Sequence, residues 1–460
     1  MNLTKVAGGA VVAFSLGLGL FGTQACSTSN SGSGFGDAGT AIADPNAVDL
    51  SDGGKNVTVS CDNLECKRTT CAVAGEDTTI TGKVFDPSGK NPLYNAIVYV
   101  PNRAPAPLAT GAKCESCSAL ALSPVTVALT DEEGKFTLRN VPVSDDLPIV
   151  IQVGKWRRQL TLPKVERCRE NKVVDGTFRL PRNQAEGDLP QFALVTGGCD
   201  PLGCLLSRAG IDAAEFTAPT GKGRVHVYKG VGGEDIKGGG APAADQALWN
   251  STAQLAKYDV AVLSCECSEN NNTKPPASKA AMRDYLNGGG RVFATHYHYT
   301  WFQNGPPDLA STADWAGDKT DTGGPYTIDT SFPKGLAFSK WLKNVGASPD
   351  GQTIALNSPS GNINAARGNS QQWITSKGGP KVKYMSLNTP VNLAPKDQCG
   401  RAVISTLHVS SETGGTANKA TMPEKCSNTP LTAQEKALLF LMFDLSSCVT
   451  DDKEPPVVPN

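Results

Sequence analysis

The chain has 460 residues, with Lys+Arg 43 against Asp+Glu 44 and a net charge of −1, which leaves no basic excess to meet a phosphate backbone and excludes nucleic acid as an expected partner. Its length predicts two or three domains. Gly 48, Pro 31, 6% aromatics and Cys 14 describe a loop-rich exported protein whose cysteines mostly pair, rather than a compact cytosolic enzyme.

Residues 1–25 read as an export signal. Lys5 is the only charge before an uncharged apolar run, residues 6–21. The run is shorter than the roughly 20 residues a membrane span needs. Gly8, Gly9, Gly17 and Gly19 weaken it further as a permanent helix, so a cleaved signal is expected. Ala25 immediately precedes Cys26, and the segment resembles a bacterial lipoprotein signal peptide. It departs from that pattern at Thr23, where such signals carry an aliphatic residue. The resemblance implies that Cys26 is the acylated N-terminus, that the membrane is a partner through the lipid, and that the protein sits in the cell envelope as an outer-membrane lipoprotein. Residues 26–55 are polar and low in complexity, as a flexible tether is. Residues 56–77 hold Cys61, Cys66 and Cys71, too few residues for a core, so this segment should be stapled to the chain after it. With Cys26 set aside thirteen cysteines remain, an odd number. At least one is therefore a free thiol, half of an intermolecular bond or a metal ligand.

Residues 78–182 predict an all-β sandwich. Short β-rich runs at 79–85, 96–100, 125–130, 135–138, 147–153 and 158–162 alternate with Gly, Pro and Asp turns. The stretches "TGKVFDPSGKNPLYNAIVYV", "LTDEEGKFTLRNVP" and "IVIQVGKWRRQLTL" resemble the carboxypeptidase regulatory-like domain, a prealbumin-type sandwich. Gly134 supplies the positive φ its hairpin needs. The resemblance implies an accessory module without catalytic residues.

From residue 189 to 449 the pattern changes to α/β, before a tail at 450–460. Apolar runs at 191–196, 258–264, 291–296 and 401–408 read as buried strands. Helices are predicted at 244–257, 277–286, 332–345 and 432–445, with residues 219–241 as a Gly-rich loop. Gly288 caps the second helix. Thr432 and Glu435 form a capping box for the last, where Leu438, Leu441, Met442 and Leu445 share one face. Strands apolar on both faces and alternating with helices predict a doubly wound parallel sheet. The segments "LAKYDVAVLSC", "AAMRDYLNGGGRVFATH" and "CGRAVISTLHVSSE" are similar to the class I glutamine amidotransferase-like superfold, with the ThuA-like branch nearest in pattern. An irregular insert is expected between about 299 and 400.

That family carries a cysteine nucleophile on a Gly-x-Cys-x-Gly turn after the strand matching 291–295. Here Thr295, His296, Tyr297 and His298 occupy the turn, and His408 lacks the family's His-x-Glu spacing. Amidotransferase chemistry is therefore expected to be lost. The carboxyl ends of the strands still collect chemistry: Cys199 and Cys204, Cys265 and Cys267, His296 and His298, and His408. Two assignments compete. In an oxidising compartment Cys199 with Cys204, or either with Cys265 or Cys267, forms disulfides, and Cys399 with Cys426 closes a loop. Alternatively Cys265, His296, His298 and His408 hold zinc or copper, both histidines facing one side of an extended chain. The leading functional expectation is a non-catalytic envelope protein without a cofactor, binding a glycan through Tyr297, Tyr299 and Trp301, or binding another envelope protein. The alternative is a secreted metal-dependent hydrolase acting on carbohydrate, built on the histidines and a nearby carboxylate.

Overall fold

The structure is a computed structural model that describes residues 61–114, 124–410, 423–424 and 426–458, all within one compact unit, Gly53–Asn460. The signal segment, Cys26, the tether and Cys117 lie outside the described residues. Many strands in three sheets, with a few helices, make up the described chain. None of the described helices is long and apolar enough to cross a membrane.

Eight strands precede residue 180: β1 (Thr79–Phe85), β2 (Ile97–Pro101), β3 (Pro124–Leu129), β4 (Lys135–Leu138), β5 (Asp145–Val153), β6 (Trp156–Lys164), β7 (Glu170–Lys172) and β8 (Phe178–Arg179). They form two four-stranded sheets, one in the order β4-β1-β7 with β8 also on β1, the other β3-β2-β5-β6. The turn before β4 needs Gly134, whose φ is +74° and whose Cβ would lie 2.7 Å from the Val84 carbonyl. Cys71 bonds to Cys168, so the N-terminal cysteine segment is stapled to this region as expected, while Cys61 and Cys66 close a loop of their own.

Twelve more strands share one sheet: β9 (Phe192–Thr196), β10 (Phe216–Thr217), β11 (Val225–Lys229), β12 (Val260–Leu263), β13 (Arg291–Thr295), β14 (Ala313–Thr320), β15 (Tyr326–Ile328), β16 (Thr353–Ile354), β17 (Ser360–Ala366), β18 (Gln371–Ser376), β19 (Val382–Thr389) and β20 (Gly400–Ser405). The order β10-β11-β9-β12-β13-β20 is parallel throughout. β19 then pairs antiparallel with β20 and continues into β18, β15 and β16, with β17 and β14 branching from it. The helices are α1 (Leu202–Arg208), α2 (Ala244–Ala247), α3 (Thr252–Leu255), α4 (Pro276–Asn287), α5 (Thr300–Gln303), α6 (Pro307–Ala310), α7 (Pro333–Asn344) and α8 (Ala433–Ser446).

Four expectations need correcting here. The Gly-rich stretch 219–241 contains β11, whose Val225 and Val227 are fully buried between flanking glycines. The insert at 299–400 is ordered into six strands and α7 rather than irregular. The helix expected at 244–257 is broken into α2 and α3, because Leu248 leaves the helical region and Ser251 is extended. The last helix keeps its Thr432–Glu435 capping box, but α8 is buried almost all round rather than along one face.

Residues 78–182 and the later chain share one hydrophobic cluster. Trp156 of β6 packs edge-on against Phe192 of β9 and at a tilt against Phe443 of α8. Trp341 of α7 donates to the Pro92 carbonyl at 2.7 Å, and Lys155 pairs with Asp259 at 2.7 Å. Gly154 is required where the β5–β6 turn meets the end of α8, since a Cβ there would lie 1.8 Å from the Ser446 carbonyl.

Behind α8 a charged cluster holds the C-terminal segment against β20. Arg401 contacts Asp444 at 2.8 Å and Asp452 at 2.9 Å, and Lys334 contacts the same two carboxylates at 3.1 and 3.0 Å. Burial pushes the Asp452 carboxyl up, but Arg401 and Lys334 outweigh it and hold it at about 2. A carboxylate whose folded value lies below its unfolded value of about 3.9 stabilises the fold above that value. Its contribution is lost as pH falls from about 4 toward 2. The free energy of unfolding in urea should therefore drop across that window, and Asp452→Asn should flatten the drop. The same variant should cost about 3 kcal/mol at neutral pH, because it strips one of two carboxylates from a buried arginine and lysine.

Candidate metal centre

Parallel register sets the position of the site. Leu263 at the end of β12 lies beside Val195 of β9 and Ala294 of β13, and Thr295 lies beside Ser405 of β20. Residues just past these strands emerge together at their carboxyl edge. Gly197 lets β9 end against β12, where a Cβ would meet the Cys265 carbonyl at 2.3 Å. The Cys199 amide donates to that carbonyl at 3.0 Å, and the Cys199–Cys267 disulfide closes the corner. Cys265 is left as a fully buried free thiol between two disulfide-bonded strand ends.

Three donors converge there. One ligand atom each from Cys265, His296 and His408 lies within 4.8 Å of the others. Cys265 Sγ is 3.4 Å from His296 Nδ1, and the two imidazole centroids are 5.0 Å apart. A tetrahedral zinc with Zn–S near 2.3 Å and Zn–N near 2.0 Å separates sulfur from nitrogen by about 3.5 Å. The Nε2 atoms of His296 and His408 are both buried with no hydrogen-bond partner, although His296 Nε2 comes within 3.9 Å of Asp318 Oδ1. His296 turns the chain sharply: its φ is +41°, between the extended Thr295 and a 3-10 turn, His296–Tyr299. A left-handed non-glycine residue at such a junction is a marked position. The Tyr297 ring stacks on His296 at 4.0 Å, and its hydroxyl donates to Asp318 at 2.9 Å.

Burial sets the protonation states. It pushes the Cys265 thiol up to about 12. Burial, with the neighbouring His408 and His298, pulls His296 down to about 3. At neutral pH the edge presents a neutral imidazole with its lone pair available and a thiol that does not ionise unaided. A nucleophilic cysteine needs a lowered value, so the arrangement suits a cation that displaces the thiol proton better than it suits acyl transfer. Asp200 completes the surroundings. It is fully buried, its Oδ1 accepts from the Val409 amide at 3.0 Å, and the Thr295 side chain also lies against its carboxyl. Burial raises its carboxyl, opposed by the nearby His408.

Of the four metal ligands read from the sequence, Cys265, His296 and His408 meet and His298 does not. His298 is buried with both ring nitrogens engaged, Nε2 with the Ser264 carbonyl at 2.9 Å and Nδ1 with Trp301 Nε1 at 3.0 Å. Strand alternation fails because the chain turns at His296. Tyr299 and Trp301 are fully buried and offer no stacking face to a sugar, and only Tyr297 reaches the surface. Cys199, Cys204, Cys399 and Cys426 are all disulfide-bonded; Cys199 takes one of its expected partners, while Cys204, Cys399 and Cys426 bond elsewhere than expected. Cys199 pairs with Cys267, Cys204 on α1 with Cys426, and Cys399 with Cys114. Neighbouring parallel strand ends, distant in sequence, bring the first pair together. Asp200 escaped the sequence reading; its one signal is an acidic residue directly after Gly197-Gly198-Cys199 at a strand end. A cavity of about 920 Å³ lies elsewhere, lined among others by Lys83, Arg182 and Asn344.

No protein-family model matches the chain, and no curated protein matches it. Among solved structures, a C-terminal interface mutant of a type II cohesin–X-dockerin complex from Acetivibrio cellulolyticus aligns at 14% identity. It covers 31% of this chain and 75% of that one, with a TM-score of 0.16. An N-terminal interface mutant of the same complex aligns at 14% identity over 29% of this chain and 85% of that one, with a TM-score of 0.17. Likenesses this weak carry no argument about fold or function.

The buried thiol yields a direct measurement. In native, metal-free protein near neutral pH, iodoacetamide should modify residue 265 slowly, and denaturant should accelerate it by orders of magnitude, as read by peptide mapping. Fast native modification would show the thiolate accessible.

Proposed function

We propose that this is an exported, lipid-anchored envelope protein that binds zinc or copper through Cys265, His296 and His408. The observation that carries the reading is the convergence of those three donors at one strand edge. Its frame is a carboxypeptidase regulatory-like sandwich at 78–182 followed by an amidotransferase-like, doubly wound α/β part at 189–449. The parallel order β10-β11-β9-β12-β13-β20 supports the second assignment. In that resemblance His296 stands on the turn where the family carries its nucleophile. The role is binding rather than amide hydrolysis, since the one free thiol at the edge, Cys265, is buried and held un-ionised.

The test is metal content. Protein with its disulfides intact, incubated with equimolar zinc or copper and desalted, should retain one equivalent. Cys265→Ser and His296→Ala should each lose it, whereas His298→Ala should retain it while costing about 1–3 kcal/mol of stability through the stranded Trp301 and Ser264 groups. A wild-type protein that retains neither metal sinks the reading. The anchor is tested separately: Cys26→Ser should move the protein from the membrane fraction to the soluble one.

A further inference from the structure

We propose that Asp318 is the outer carboxylate of this centre, accepting the Nε2 proton of His296 while Nδ1 binds the metal. The proposal rests on the metal-binding reading of Cys265, His296 and His408. The orientation of the His296 ring decides which nitrogen does what. Nδ1 lies 3.4 Å from Cys265 Sγ, close to the sulfur-to-nitrogen separation of about 3.5 Å that a shared tetrahedral zinc sets. Nδ1 is therefore the ligating nitrogen, and coordination there fixes the ring proton on Nε2. Nε2 is buried without a hydrogen bond, and Asp318 Oδ1 stands 3.9 Å from it. That gap is about 1 Å longer than an N–H···O bond. Asp318 is more than half exposed, so a small rotation of its side chain closes the gap. A ligating histidine that donates its second N–H to a carboxylate is held in its ring orientation and binds the metal more strongly.

The local chain is built to bring Asp318 to this place. Strand β14 pairs with β17, but the register slips between Trp315 and Lys319, an irregularity of the kind that re-aims a side chain. Within it Gly317 takes a φ of +71°, which glycine adopts without strain. The buried Asn362 of β17 donates to the Gly317 carbonyl at 3.0 Å and pins the irregular turn. Tyr297, stacked on the His296 ring, donates its hydroxyl to Asp318 Oδ2 at 2.9 Å, so the other carboxylate oxygen is the one that faces Nε2. Asp318 is not among the three residues whose ligand atoms cluster within 4.8 Å. It is a positioning residue, acting on the metal through His296.

The variant Asp318→Asn keeps the shape and an oxygen for the Tyr297 hydroxyl and removes the charge. The probe is cobalt(II), whose sulfur-to-cobalt absorption reports the Cys265 bond and whose affinity is read by chelator competition. Asp318→Asn should retain the absorption band but bind cobalt about 10–100-fold more weakly. Before metal is added it should melt where the wild type does, since the side chain is largely exposed. The same substitution is then placed in two further backgrounds, which separate a contact with the ring from a general loss of negative charge near a cation. In His296→Cys, a ligand with no ring N–H to hold, the loss should shrink to near 1-fold. In His408→Cys, where His296 remains, the full loss should persist. Equal cobalt affinity in wild type and Asp318→Asn, or an undiminished loss in His296→Cys, overturns the assignment and leaves the three-ligand centre standing. Absence of the sulfur-to-cobalt band in wild type overturns the centre itself, and the role of Asp318 with it.

Discussion

The site depends on the parallel register of β9, β12, β13 and β20. Val260 of β12 aligns with Phe192 and Arg291, and Arg291 aligns with Arg401. With their starts level, the four strands end nearly level too. Parallel pairing offers this where antiparallel pairing does not: successive strands point the same way, so each contributes the residues after its carboxyl end to one edge. Cys199, Cys265, His296 and His408 are separated by tens of residues along the chain, yet they are neighbours for that single reason. The antiparallel strands beyond β20 widen the sheet without adding a residue to the donor cluster.

The chemistry open to this edge depends on which of its cysteines are already committed. Cys199 and Cys267 are bonded to each other, so the corner is covalently closed, and the Cys265 thiol is left unbonded and buried beside His296. Such a group resists ionisation, and the imidazole beside it resists protonation, first because water is excluded and neither charge is solvated, with His408 and His298 adding to the effect on His296. Together they form a neutral, preorganised donor pair. A divalent or monovalent metal cation reverses the balance by supplying the charge that the thiolate lacks. The same desolvation that makes Cys265 a poor nucleophile therefore makes it a good candidate ligand.

The elements with strong apolar runs were legible in the sequence. β1, β4, β9 and β12 fall within two residues of expectation, and the capping box of α8 forms between the named side chains. Composition hid β11, because a five-residue strand among glycines has little periodicity to detect. The short strands between β14 and β19 were hidden in the same way. Disulfide pairing could not be read from spacing. Cys399 and Cys426 look like a loop closure along the chain, but they meet Cys114 and Cys204 across it. The site was legible to the level of an edge and a residue type. Its exact membership turned on one backbone angle: the left-handed conformation of His296 ends the alternation and sends His298 into the core, where Trp301 and Ser264 occupy its nitrogens. No pattern in the sequence announces a left-handed histidine.

Strand β20 shows how such an edge is kept rigid. At its start Cys399 is bonded to Cys114, and Arg401 is clamped by Asp444, Asp452 and Asn388. Just past its end, Val409 is hooked to Asp200 at the end of β9. His408 therefore extends from a strand fixed on both sides by interactions that do not involve its ring. Pinned backbone limits how far a ligand can drift, and a site held by elements is more precise than one held by loops. Interior charges such as the Arg401 cluster are a costly way to gain stability alone. Here the cluster also fixes β20, the C-terminal segment and α8 against one another, and through the shared hydrophobic cluster it joins them to the sheets of residues 79–179. Geometry at the candidate metal edge and cohesion between the two halves of the chain rest on the same strand.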